Sequence, residues 1–115
     1  MARFSWISSV ICLICLMCHQ PAVARDIGFG KLSGVKVYGF SNDKSVALYF
    51  EPTATHLNPD CDRKATFSYS EHSIEEINRF LSIAMAAYLS GKKVRVHSQS
   101  ANCEGHFIAL QDSYF

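Results

Sequence analysis

Residues 73–98 read SIEEINRFLSIAMAAYLSGKKVRVHS, and the change of rhythm inside this stretch decides the fold class. Ser73 and Glu76 have the S-x-x-E spacing of a capping box, in which a serine hydroxyl and a glutamate satisfy the free N–H groups of a first helical turn. Glu75 and Glu76 add negative charge where the helix dipole favours it. Ile77, Phe80, Leu81, Ala84, Met85, Tyr88 and Leu89 then recur at threes and fours, which predicts a helix from Ile74 to Ser90 with one apolar stripe. That stripe, Met85 and Tyr88 included, is expected to be core packed on a sheet. Gly91 supplies the stop. Beyond it the period drops to two: Val94 and Val96 are expected inward and Lys93, Arg95 and His97 outward, as in a strand.

Working outward, residues 34–42 (GVKVYGFSN) and 44–51 (KSVALYFE) both alternate, and Asn42-Asp43 offers turn chemistry between them. They predict an antiparallel hairpin. The glycine-rich DIGFGKLSG before it reads as a lead into the first strand. Residues 52–62, PTATHLNPDCD, carry two prolines with Asn58 and Asp60 and read as a loop. KATFSYS, 64–70, is a third strand; after the fourth, the polar SQSANCEG precedes HFIALQDSY, a fifth. The order β-β-β-α-β-β makes the chain all-β with one helix and matches a five-stranded OB-fold, a Greek-key barrel. A plain sheet covered by a helix is the alternative.

The first residues describe export. Arg3, an apolar run from Phe4 to Cys18, Pro21 and the triplet Ala22-Val23-Ala24 form a signal peptide expected to be cut after Ala24. An uncleaved anchor is the alternative, but the run is short for a bilayer span. Cys15 and Cys18 follow Ile14 and Met17 rather than a small residue, which argues against lipidation. Residues 1–24 are thus leader and 25–115 a single secreted or periplasmic domain, with no second apolar span to insert in a membrane. Cys12, Cys15 and Cys18 leave with the leader, so Cys61 and Cys103 remain and are expected to form one disulfide, the alternatives being free thiols or a metal site. Such a bridge ties the loop before the third strand to the loop between the fourth and fifth.

Composition excludes several functions. With Arg3 removed, the 11 Lys and Arg of the whole chain fall level with the 10 Asp and Glu. A general affinity for nucleic acid or anionic membrane is therefore not expected. His56, His72, His97, His106 and the two cysteines show no tight ligand spacing, so no metal or other cofactor is expected. No G-x-S-x-G or Cys/His signature appears, and Glu51, Asp60, Asp62 and Glu104 lie in or beside loops. No catalysis is expected.

LSGVKV at 32–37 and INRFLSIAMAAYLSGKKVRVH at 77–97 resemble the B subunits of subtilase-type and pertussis-like AB5 toxins. In that family an S-G-V-type opening starts the first strand, and a helix rich in Ala, Leu and Tyr runs into an arginine-containing strand. The resemblance implies an OB-fold protomer that forms a homopentamer, binds sialylated host glycans and carries a separate A subunit. It places the sialic-acid serine at Ser33, with Gly34, Lys31, Lys36 and His97 as neighbouring ligand-binding candidates. By residue type alone Ser33 is equally an ordinary strand-start residue. The chain departs from the family in having His97 and Ser98 where an aromatic pair stands, and in lacking the early cysteine near Tyr49 and Phe50. A stand-alone periplasmic or secreted OB-fold binding or stress module is the alternative reading.

Overall fold

The computed structural model describes residues 23–115; most of the expected leader 1–24, with Cys12, Cys15 and Cys18, lies outside them. The described chain contains β1 (Arg25–Gly30), β2 (Leu32–Phe40), β3 (Asp43–Phe50), a 3-10 turn (Pro59–Cys61), β4 (Lys64–Ser68), α1 (Ile74–Ser90), β5 (Val94–Ser98) and β6 (Phe107–Leu110). Two three-stranded antiparallel sheets form, in the orders β1-β5-β6 and β2-β3-β4.

The glycine-rich lead is itself a strand, which corrects the expected count of five strands to six. Glycine disfavours strands in sequence because it has no side chain to pack. Here its smallness is the reason for the strand's position. A Cβ at Gly28 would stand 2.8 Å from the Phe50 ring and 2.9 Å from Leu57, and one at Gly30 would stand 2.8 Å from the Cα of Ala54. The backbone of β1 therefore lies directly on its neighbours. Phe29 exchanges hydrogen bonds with Thr55 (2.8 and 2.7 Å) along one edge, while β5 pairs along the other.

The helix has the expected bounds, with the Ser73 hydroxyl accepting from Glu76 N–H at 3.2 Å and Gly91 in the left-handed conformation. Its packing differs from expectation. Ile77, Ala84 and Ala87 are fully buried and Phe80 stacks on Phe67 at 4.5 Å, whereas Met85, Tyr88 and Leu89 are 43%, 46% and 76% exposed. Alanines let the helix approach the sheet closely along one narrow line. Met85 lies about 100° round the helix from Ala84 at 3.6 residues per turn, and so turns outward.

The core joins Ile27, Leu32, Val46, Leu48, Phe50, Ala65, Phe67, Val94, Val96 and Ile108 to that line of the helix. The inward residues of β3, β4 and β5 are those the alternation predicts. The Cys61–Cys103 disulfide is present, with Cα atoms 5.4 Å apart and a sequence separation of 42. Beside it, residues 103–105 run parallel to β4: Thr66 N–H donates to Cys103 C=O (2.9 Å) and Gly105 N–H to Thr66 C=O (2.8 Å). Glu104 accepts from the Ser68 N–H and hydroxyl and lies 3.3 Å from the buried His72 ring, which also approaches Glu76 of α1. The start of the helix is thereby held against the segment that carries the disulfide.

Candidate functional site

Two surfaces gather polar and aromatic side chains. The first is the outer face of β2-β3-β4. Directly opposed residues in antiparallel strands share a face, so Lys36 opposite Ala47, Tyr38 opposite Ser45 and Lys64 opposite Tyr49 all stand on the side away from the core. The Tyr38 and Tyr49 hydroxyls meet at 3.2 Å. Lys36 Nζ lies 4.8 Å from the Tyr49 ring centre, and Lys64 Nζ lies 5.7 and 5.8 Å from the two rings, within cation–π range. The Tyr38 hydrogen bond, aided by the two lysine charges, holds the Tyr49 phenol below the ordinary tyrosine range. The same hydrogen bond pushes Tyr38 upward.

Ser33 sits at the end of this face, where the β2-β3 register slips between Leu32 and Gly34. Its exposed hydroxyl donates to Tyr49 C=O at 3.2 Å, leaving oxygen lone pairs to accept from a ligand. Gly34 is opposite Tyr49, but a Cβ there would stand a relaxed 3.9 Å from the ring. Close approach does not require glycine at that position.

The five predicted ligand residues do not form one site. Ser33, Gly34 and Lys36 are neighbours on β2. Lys31 instead lines a hollow of about 390 Å³ with Phe29, Glu51, Thr53, Thr55 and Lys93. His97 is across from Asp26 at the far end of β1, roughly 13 Å from Gly30 at the usual strand rise. Ser98, where the resemblance places an aromatic, is fully buried. Its hydroxyl donates to Asn102 Oδ1 (2.9 Å) and accepts from Ser100 N–H (3.2 Å), which folds the loop after β5.

His97 belongs to the second surface, a groove of about 400 Å³ lined by Arg25, Asp26, His56, Arg95, His97 and Tyr114, among others. Asp26 is its hub. His97 Nδ1 lies 2.6 Å from Oδ1, Arg95 Nε donates to the same oxygen at 3.2 Å, and the Tyr114 hydroxyl donates to Oδ2. Burial alone would raise the Asp26 carboxyl, but donation from Tyr114, His97 and Arg95 outweighs it and holds the group below the usual carboxylate range. Tyr114, bound to that carboxylate, is pushed above the ordinary tyrosine range. The His56 ring stacks flat on Tyr114, centroids 3.6 Å apart and planes 3° from parallel, on a backbone with φ of 54°. Arg95 lies 4.7 Å from the Tyr114 ring centre and 5.4 Å from that of Phe115.

Of this groove, sequence reasoning placed only His97 among the ligand-binding candidates, with His56 weighed and set aside as a metal ligand and Arg95 read as the outer side of a strand. Asp26 was masked by the glycine-rich lead, and nothing local links residues 26, 56, 95 and 114. The Tyr38–Tyr49 pair did carry a signal, since alternation alone turns Lys36, Tyr38 and Tyr49 away from the core. Among the described residues no group of three or more His, Cys, Asp or Glu side chains is placed to hold a metal ion. No described helix is long and apolar enough to cross a membrane. Comparisons of the chain with known protein families, curated proteins and solved structures return no match.

Proposed function

We propose that this chain is an exported glycan-binding protomer of the OB type, acting as the binding subunit of an AB5-like assembly. The barrel reading is supported by the parallel bridge between Thr66 and Glu104, which links the edge of one sheet to the loop leading into the other. It is also supported by β1 and β2, which are separated by Lys31 alone and so behave as one bent strand serving both sheets.

The observation that carries the binding reading is the exposed Ser33 hydroxyl at the bulge beside Tyr49 and Lys36. A sialic acid presents a carboxylate, several hydroxyls and an apolar ring face. Lys36 and Lys64 offer the carboxylate cations, Ser33 offers an acceptor to a hydroxyl, and the tyrosine rings offer a surface for the apolar part. Exposed Val37 and Phe40 on β2, with Met85, Tyr88 and Leu89 on α1, supply apolar surface that a homopentamer and a separate A subunit would cover.

The test is a glycan array probed with the mature protein. Sialylated glycans are the expected ligands, and Ser33→Ala and Lys36→Ala should each lower binding at least tenfold. Binding unchanged by Ser33→Ala rejects the assigned site. A monomer in sedimentation at micromolar concentration favours the stand-alone module over the toxin ring.

A further inference from the structure

The Asp26 groove is separate from the glycan face, and its chemistry is of another kind. His97 gives Nδ1 to a carboxylate that two further donors, Arg95 and Tyr114, hold in place. That bond engages Nδ1 and leaves Nε2 for a substrate, and the His97 side chain lines two grooves. A carboxylate-oriented imidazole lining an open groove is the base-and-orienter pair of acid–base catalysis. A second imidazole, His56, faces the same groove from the loop before the 3-10 turn. It is braced by Tyr114 and has Nδ1 3.1 Å from the Thr55 hydroxyl. Arg25 and Arg95 line the same groove and add positive charge. The lining includes no serine, threonine or cysteine, so a nucleophile must arrive with the substrate.

We propose that this groove is a general acid–base site that cleaves ribonucleotide phosphodiesters by attack of the neighbouring 2′-hydroxyl. Such a linkage brings its own nucleophile. It needs one base, one acid and cations beside the phosphoryl oxygens, which matches the groups present. Nucleotides also suit the flanks, because Phe107 and Phe115 are 44% and 92% exposed beside Arg95 and offer stacking surfaces to bases.

In the step itself, His97 Nε2 takes the 2′-hydroxyl proton as that oxygen bonds to phosphorus. The bond from phosphorus to the 5′-oxygen breaks, and the departing oxygen takes a proton from the His56 imidazolium. The products are a 2′,3′-cyclic phosphate and a free 5′-hydroxyl, and proton exchange with water resets both rings. Asp26 and Tyr114 are positioning residues. The groups facing the two imidazoles are Asp26, Arg25, Arg95 and Tyr114, with His106 lining the adjoining hollow. The near-neutral charge of the exported domain implies weak binding and a high KM for short substrates.

The experiment incubates the purified, disulfide-intact mature protein with the dinucleotide uridylyl-3′,5′-adenosine and follows adenosine release chromatographically. Turnover with a bell-shaped pH profile is expected. His97→Ala and His56→Ala, purified in parallel, should each lose about 100-fold or more, as removal of a general acid or base does. His97→Gln, checked for native near-ultraviolet circular dichroism, separates lost chemistry from lost folding. Asp26→Asn should lower the rate and move the acidic limb of the profile to lower pH, a shift a purely structural role would not produce. The 2′-deoxy dinucleotide should be inert. Turnover no greater than that of folded His97→Gln, or cleavage of the deoxy substrate, overturns the proposal. The glycan reading stands or falls separately, because it rests on Ser33 and the opposite sheet.

Discussion

The outer face of β2-β3-β4 and the Asp26 groove are built in opposite ways. The face comes from one hairpin and the strand beside it, and its residues are placed by period-two alternation and a two-residue turn. The groove is assembled from residues 26, 56, 95, 97 and 114, and its longest hydrogen bond in sequence spans 88 residues. Local rules fix the face, while the groove exists only when β1 is paired with β5 and the loop after β3 and the tail after β6 are in place. The face should therefore survive changes that loosen the whole molecule better than the groove does.

Removing the disulfide presses hardest on that contrast. Cys61→Ser with Cys103→Ser frees a closed loop spanning 42 residues in sequence, which should cost about 4 kcal/mol in the entropic account. Urea unfolding measures the loss. Hydrogen exchange should accelerate at residues 103–106 and around Asp26 before it does so in the β2-β3 hairpin. Equal acceleration in both regions would break the comparison.

Asp26→Ala comes next. It leaves Arg95, His97 and Tyr114 without their shared acceptor, and loss of charge-assisted hydrogen bonds of this kind should cost about 2–3 kcal/mol. The pH dependence follows from the lowered carboxyl. Because its folded value lies below the unfolded one near 3.9, its stabilisation is complete above that value and is lost as pH falls through the folded value. Stability should decline below about pH 4, and Asp26→Asn should flatten that part of the curve.

Smaller effects belong to the exposed surfaces. Met85→Ser should change monomer stability by about 0.5 kcal/mol or less, because it alters an exposed side chain. If the helix stripe is covered in an oligomer, the same change should lower the mass seen in sedimentation. Smallest of all is Tyr38→Phe, which should leave folding unchanged within error. It should nevertheless raise the pKa of Tyr49 toward the ordinary tyrosine range, because the phenolate loses its donor. Ultraviolet difference titration reads that shift, and an unmoved Tyr49 would show that the two hydroxyls are not paired in solution.

Much of the architecture was legible because the signals are local. The helix bounds were readable from the hydroxyl of Ser73 and the stop at Gly91, and the inward Val46, Leu48, Phe50, Val94 and Val96 from alternation. The lead was not legible, because glycine signals flexibility in a sequence even where it marks a backbone laid against Phe50, Leu57 and Ala54. The exposure of Met85, Tyr88 and Leu89 was hidden for a related reason. An apolar stripe shows which residues avoid water but not how much of it the sheet can cover.

The sequence alone determined the helix and five of the six strands, because capping, period and turn chemistry act over a few residues. It also pointed to Cys61 and Cys103 as a pair, and the disulfide joins them. Only the tertiary structure decided that Asp26 would meet His97, Arg95 and Tyr114, since strand order and register set those contacts. It also decided that Ser33 would stand at a bulge beside Tyr49, for which β2 and β3 must slip by one residue against each other. Both candidate sites therefore depend on distances that no local pattern encodes.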